Sequence, residues 1–186
     1  QEERCPTLAG LATSHGQSIL TCAACHQPRD PTAERFCTFE VPIEISGSDR
    51  TETVRYTDVQ SAFNAFLSND YNDFPNPCEH CERTHWIKSL HTVASPQVLV
   101  LTLKRFKSVQ VAPGRYAQRC VGHPVTTTEV LDFQGHLYDL RSVVVHLGDS
   151  IEFGHYIALA RPDTNTGPWW LYNAAHRKEA TREQVA

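Results

Sequence analysis

Residues 154–173 read GHYIALARPDTNTGPWWLYN, in which two apolar stretches flank a polar one. The polar part is rich in Pro, Asp, Asn, Thr and Gly, which are the residue types that form turns. The sequence therefore predicts two antiparallel strands joined by a turn centred near residue 164. Folding the strands about that point predicts three facing pairs: Leu159 with Trp169, Ile157 with Leu171, and His155 with Asn173.

The pairing of His155 with Asn173 has a chemical consequence. Side chains that face each other across an antiparallel pair have Cβ atoms roughly 5 Å apart. The carboxamide oxygen of Asn173 can then accept the N–H of the imidazole, which fixes the ring tautomer. The other ring nitrogen is left to take a proton from a nucleophile, as in Cys-His-Asn peptidases. The alternative is a structural hairpin that has a polar end.

Four of the seven cysteines form two Cys-x-x-Cys pairs, Cys22 with Cys25 and Cys78 with Cys81. Zinc takes four thiolates tetrahedrally, and each short loop presents two of them. We expect one structural zinc ion, because four protein sulfurs leave no open position for substrate. Two unrelated thiol pairs or a redox pair are the other interpretations. Three nearby histidines are alternative ligands: His26, His80 and His85.

The chain between the two cysteine pairs must fold back on itself. The 52 residues that separate Cys25 from Cys78 exceed the spacing of about 15–20 found in ordinary zinc ribbons. Alternating apolar residues predict a strand over 34–45, a turn at 47–49 and a returning strand over 51–56. Apolar residues at helical spacing predict a short helix over 59–67, with Asp58 as its N-cap.

Strands dominate the second half of the sequence. The apolar run within 97–106 is typical of a central strand, and 137–147 contains another. Residues 107–115 and 147–154 are predicted to be loops. With the single predicted helix, these elements indicate an α+β fold that is mostly antiparallel β.

Composition excludes several classes of protein. The 186 residues are 40% hydrophobic and 20% charged, which is typical of a globular domain. We expect no membrane helix, because no stretch of about 18 apolar residues exists, and no nucleic acid as partner, because the net charge is −4. The first residues do not resemble a secretory signal, so a cytoplasmic or nuclear location is expected. Nothing in the sequence indicates the oligomeric state.

The order of these motifs resembles that of the ubiquitin-specific protease family, the papain-like cysteine deubiquitinases. The resemblance covers roughly residues 18–185. It is carried by the two Cys-x-x-Cys turns, called knuckles below, and by the following residues and motifs: Lys88, SPQVLVLTLKRF (95–106), YDL (138–140), VVVHLG (143–148), GHY (154–156) and WLYN (170–173).

The resemblance implies part of a papain-like fold with three segments. Residues 1–17 would be a lead-in, 18–90 a zinc-ribbon-like fingers subdomain that grips ubiquitin, and 91–186 a palm subdomain. Such enzymes cleave the isopeptide bond after the final glycine of ubiquitin. Ubiquitin or ubiquitinated proteins are therefore the expected partners.

The resemblance also implies roles for individual residues. His155 would be the general base and Asn173 its orienting partner. Gly154 and Tyr156 would contact the substrate. The loops predicted at 107–115 and 147–154 would flank the channel for the ubiquitin tail.

Two features depart from the family pattern. The N-terminal box that carries the nucleophilic cysteine is absent, and Cys5 does not match it. We therefore expect the nucleophile upstream of Gln1 and expect the chain alone to be inactive. Ala174 stands where family members often have an aspartate. An inactive ubiquitin-binding pseudoprotease and a zinc-stabilised scaffold module are the alternative functions.

Overall fold

The structure is a computed structural model that describes residues 10–46, 53–71, 75–148, 150–162, 167–181 and 184–185. Cys5 and the turn predicted at 47–49 lie outside these residues. Each strand pair whose register is defined is antiparallel. The predicted α+β, mostly antiparallel fold is confirmed. Within the described ranges, no helix is long and apolar enough to span a membrane.

The chain divides into two compact units, of which the first holds residues up to Tyr56 together with Ser61–Leu103. One sheet has the strand order β2-β1-β7-β6, while β3 pairs with β8 and β4 with β5. The strands in this part of the chain are β1 (Ser14–Cys22), β2 (Thr32–Phe36), β3 (Phe39–Pro42), β4 (Glu44–Ser46), β5 (Thr53–Arg55), β6 (Ser68–Tyr71), β7 (Trp86–Ala94) and β8 (Leu101–Lys104).

Helix α1 (Val59–Leu67) begins directly after Asp58, as predicted. Its Phe63 is fully buried and meets Phe39 edge to face, with ring centroids 5.6 Å apart. Phe39 in turn stacks on Phe36 at 4.9 Å. Burying side chains of this kind stabilises the fold by about 1.5–3 kcal/mol each, so the apolar stripe of the helix serves as a core face.

The second unit comprises Thr57–Gln60 and the chain from Lys104 onward. Its largest sheet has the order β13-β14-β15-β16, beside the hairpins β9–β10 and β11–β12. Leu159, Trp169 and Val185 form a buried core in this unit. The strands are β9 (Phe106–Ala112), β10 (Arg115–Cys120), β11 (Val130–Phe133), β12 (His136–Asp139), β13 (Ser142–Leu147), β14 (His155–Ala160), β15 (Trp169–Asn173) and β16 (His176–Ala180).

Two long strands predicted in the first unit are wrong in extent. The segment 34–45 forms β2, β3 and β4, because its three parts pair with different strands. The apolar run in 97–106 is not a central strand, because in the described part of the chain β8 has four residues and pairs with β3 alone. Val98 and Val100 are 49% and 40% exposed.

Two predictions in the second unit are also corrected. Residues 107–115 are not a loop, because β9 and β10 pair around a tight turn in which Gly114 has a φ of 72°. That left-handed conformation favours glycine. The predicted strand over 137–147 divides into β12 and β13, which pair with β11 and β14 respectively. Strands β1, β6 and β7 of the first unit, and β11 and β16 of the second, were not predicted.

The predicted hairpin exists as β14 and β15, but its register differs by two residues. Leu159 faces Leu171 instead of Trp169. In this arrangement the guanidinium of Arg161 lies 5.1 Å from the Trp169 ring centroid, a cation–π contact that favours the observed register. A shift by two residues keeps every side chain on its predicted face, because side chains alternate along a strand.

The expected segment boundaries at 17/18 and 90/91 describe functional parts and stay a prediction. Strand β1 begins at Ser14, inside the segment expected to be a lead-in. It pairs along its length with β7.

The turn that joins β15 to β16 generates a prediction about stability. Ala174 adopts a φ of 49°, where the side-chain methyl group crowds the backbone at a cost of about 1–2 kcal/mol. Asparagine tolerates this conformation better than alanine. Ala174→Asn should therefore raise the free energy of unfolding by about 0.5–1 kcal/mol in urea denaturation. Ala175→Asn is the matched control and should give no gain; equal effects of the two changes would contradict the explanation.

Candidate functional site

The four knuckle cysteines converge in the first unit. Strand β1 ends at Cys22 and pairs there with Trp86, the first residue of β7. The four sulfurs all lie within 4.8 Å of one another, and none forms a disulfide. The Cys22–Cys81 and Cys25–Cys78 sulfur pairs are each 3.5 Å apart. A tetrahedral zinc site with Zn–S bonds of about 2.3 Å has sulfurs about 3.8 Å apart, so this arrangement can hold a metal ion.

The two knuckles share one backbone conformation. The N–H of His26 donates to the Cys22 carbonyl at 2.9 Å, and the N–H of Glu82 donates to the Cys78 carbonyl at 2.7 Å. His26 and Glu82 both have a φ of 58°. His26, His80 and His85, the alternative ligands, are not members of the ligand cluster.

The thiols of the cluster differ in pKa. The backbone N–H of Cys25 is the main cause that lowers the pKa of Cys22, to about 6. The N–H of Gln27 lowers the pKa of Cys25, but burial and the neighbouring thiols outweigh it and raise that pKa to about 12. One thiolate therefore opposes the ionisation of the next. A bound cation would remove this conflict, because metal ligation deprotonates thiols.

Arg29 links the two knuckles and was missed at the sequence level. Its Nη2 donates to the carbonyl oxygens of Asn76 and Pro77 at 3.0 and 3.1 Å. Its guanidinium lies 4.3 Å from the ring centroid of Trp86, which is buried against Cys22 and Cys78. No sequence pattern around Arg29 indicates such a role.

The second unit brings His155 and Asn173 together at the open end of the β14–β15 hairpin. His155 Nε2 donates to Asn173 Oδ1 at 2.6 Å. In the observed register the two residues are diagonal neighbours, which long side chains can bridge. With Nε2 occupied, Nδ1 is the nitrogen available to accept a proton. Both side chains are exposed.

Gly154 and Tyr156 flank His155 in the chain, but the Tyr156 side chain lies on the other face of the sheet. Side chains alternate along β14. Tyr156 is 64% exposed, and its ring centroid lies 4.8 Å from that of His146 on the neighbouring strand. The role of Gly154 and Tyr156 in substrate binding stays a prediction.

Within the described residues of the second unit, no thiol is hydrogen-bonded to His155. Its hydrogen-bond partner in this part of the chain is Asn173. Cys120, which belongs to the same unit, is exposed at the end of β10 and is not paired with His155.

Comparison with protein families identifies one family model over nearly the whole chain. The model described as ubiquitin carboxyl-terminal hydrolase matches residues 13–186. Among curated proteins, ubiquitin carboxyl-terminal hydrolase 21 of Homo sapiens is 29% identical over 180 residues, which cover 91% of this chain and 30% of that protein. Ubiquitin carboxyl-terminal hydrolase 26 of Arabidopsis thaliana is 22% identical over 173 residues, or 87% and 15%. The chain thus spans about a third or less of these relatives.

Comparison with solved structures identifies the same fold. A chain of the yeast SAGA DUB module superposes with a TM-score of 0.75 at 22% identity, over 99% of this chain and 40% of that one. A chain of the SAGA DUB module bound to monoubiquitin gives a TM-score of 0.72 at 22% identity, over 95% and 38%.

The contacts of Arg29 predict that lysine cannot replace it. Lysine offers no planar fork for two carbonyls and stacks less well on an indole. Arg29→Lys should lower the free energy of unfolding by about 1 kcal/mol and speed the loss of metal from the metal-loaded protein, measured with a colorimetric chelator. Arg83→Lys, in the second knuckle, is the control and should change neither quantity. A wild-type rate of metal loss in Arg29→Lys would contradict the bridging role.

Proposed function

Because the chain belongs to the ubiquitin carboxyl-terminal hydrolase family, we propose that it forms part of a deubiquitinase catalytic domain. The domain would hydrolyse the isopeptide bond after the C-terminal glycine of ubiquitin. The observation that carries this proposal is the 2.6 Å hydrogen bond from His155 Nε2 to Asn173 Oδ1. The nucleophilic cysteine is proposed to come from a segment of the parent protein outside this chain.

The proposed chemistry uses Nδ1 of His155 as a general base. Nδ1 accepts the proton of the cysteine thiol, and the thiolate attacks the carbonyl carbon of the ubiquitin glycine. The tetrahedral intermediate collapses as the lysine amine leaves with the proton held on Nδ1. Water, deprotonated by the same nitrogen, then hydrolyses the thioester and regenerates the thiol. Asn173 holds the Nε2–H tautomer throughout.

Ubiquitin is the proposed partner of this chain. A fold neighbour has been solved bound to monoubiquitin. We propose that residues 18–90 contact the globular body of ubiquitin, whereas His155 meets its C-terminal tail.

The four sulfurs are proposed to bind one structural zinc ion. Soft thiolates in tetrahedral arrangement favour zinc over the hard cations, which prefer oxygen. All four positions would be filled by protein, so the ion would stabilise the fold and would not bind substrate.

A second candidate function is ubiquitin binding without cleavage. Ala174 favours it, because no carboxylate follows Asn173 to assist in orienting His155. Measurements on the parent protein distinguish the two functions. Binding of ubiquitin without turnover of a ubiquitin C-terminal fluorogenic amide would favour the binding module.

The catalytic proposal predicts graded losses in the parent enzyme. His155→Ala should lower kcat by about 10²–10⁴-fold, the usual contribution of a general base. Asn173→Ala should lower it less, because the base remains but is poorly oriented. Turnover of the fluorogenic amide measures both effects, and the isolated chain serves as the blank. His136→Ala removes an exposed imidazole on β12 and should leave kcat unchanged; full activity of His155→Ala would refute the proposal.

The zinc proposal predicts the metal content of the chain. Protein purified without chelators should contain about one zinc per chain, and removing it with a chelator should lower the melting temperature. Cys78→Ser should lose the metal, because only three of the four thiolate ligands would remain. Cys120→Ser, at an exposed cysteine outside the cluster, should retain it. Metal-free protein from chelator-free purification would overturn the assignment.

A further inference from the structure

Gly148 and Gly154 approach each other closely. A Cβ atom at Gly148 would lie 2.9 Å from the Phe153 carbonyl oxygen and 3.1 Å from Gly154 Cα. A Cβ atom at Gly154 would overlap the imidazole of His146, with Cε1 at 2.6 Å and Cδ2 at 2.8 Å. The His146 ring therefore occupies the space that Gly154 leaves by having no side chain.

Gly154 is needed for this contact and not for its backbone conformation. It is not among the glycines with positive φ, which are Gly114, Gly135 and Gly148. An alanine at position 154 would meet no conformational barrier of that kind. The three atoms nearest to such a Cβ atom all belong to the imidazole of His146.

Aromatic neighbours hold the His146 ring in place. His146 pairs with Tyr156 across β13 and β14, and their ring centroids are 4.8 Å apart. The centroid of the Phe106 ring lies 6.2 Å from that of the imidazole, with the two rings edge to face. Packing on two rings and on the Gly154 backbone leaves the imidazole little room to move.

We propose that His146 is a positioning residue for His155. Its ring presses on the backbone of Gly154 and so fixes the peptide that leads into His155. Side chains alternate along β14, so the two imidazoles lie on opposite faces of the sheet and His146 acts through the main chain. This inference rests on the proposed catalytic role of His155.

The need for such a support follows from how His155 is held. Its exposed imidazole has one hydrogen bond, to Asn173, in the described part of the chain. Its direction therefore depends on where its own Cα lies, one residue beyond Gly154. A displacement of about 1 Å in a reacting group can lower a rate by about a hundredfold.

The first test uses the chain itself and needs no catalysis. Long-range ¹H–¹⁵N spectra of the imidazoles report whether the His155 proton stays on Nε2. Wild type and His146→Phe, which keeps a ring in place, should show a fixed Nε2–H tautomer. His146→Ala and Gly154→Ala should show averaging between tautomers, and the double variant should recover the fixed tautomer because its new methyl group fills the vacated space.

Melting temperatures of all variants separate loss of fold from loss of position. Val144 lies on the same face of β13 as His146 and is 68% exposed. Val144→Ala is therefore the control and should leave the His155 signals unchanged. A double variant as disordered at His155 as Gly154→Ala, or a folded His146→Ala with wild-type signals, would overturn the proposal. Averaging of the His155 tautomer in His146→Phe would also overturn the proposal, because a ring at position 146 would then not be enough to fix His155.

The parent enzyme provides the second readout. His146→Ala should lower kcat by about a hundredfold with little change in KM, and His146→Phe should stay near wild type. A change confined to KM would refute positioning of the base. If the parent enzyme has no activity at all, the proposed function fails, while the spectra of the chain still decide the role of His146.

Discussion

The antiparallel pairing of β1 with β7 is the constraint on which the first unit depends. It joins residues 15–22 to residues 86–94 and thereby closes a long excursion of the chain. Closing a loop of about 60 residues costs roughly 4 kcal/mol in chain entropy beyond a constant term. The ladder of backbone hydrogen bonds offsets that cost. It also brings Cys22 opposite Trp86, and with them the two knuckles, into one place.

Local features of the fold could be predicted from the sequence, while long-range pairings could not. Helix α1 begins and ends where its apolar spacing and Asp58 indicate. The knuckles are visible as two tight cysteine pairs. By contrast, Trp86–Ala94 has no strict alternation, and its strand forms because β1 and β6 flank it. The central strand predicted from the apolar run before Lys104 was wrong for a related reason. Apolar character shows that a segment can be buried, but whether it is buried depends on the elements that pack beside it.

The candidate catalytic pair illustrates which errors matter. The predicted register was wrong by two residues, yet His155 and Asn173 still share a face, because a shift by an even number preserves side-chain direction. An error of one residue would have separated them. The contact that favours the observed register joins Arg161 and Trp169, at the two ends of the connecting loop. The sequence of either strand by itself does not indicate this contact. Arg29 and His146 escaped prediction for the same reason, since their roles arise from what folding places beside them.

The exposure of His155 and Asn173 has a consequence for how an active site could be assembled from this chain. A hydrogen bond open to solvent competes with water, so its net contribution to stability is only about 0.5–1.5 kcal/mol. A segment that brings a thiol within hydrogen-bond distance of Nδ1 would displace water from the imidazole. Delivery of the nucleophile and drying of the base would then be one event. Before that event, the proposed base would remain hydrated and would have no thiol to deprotonate.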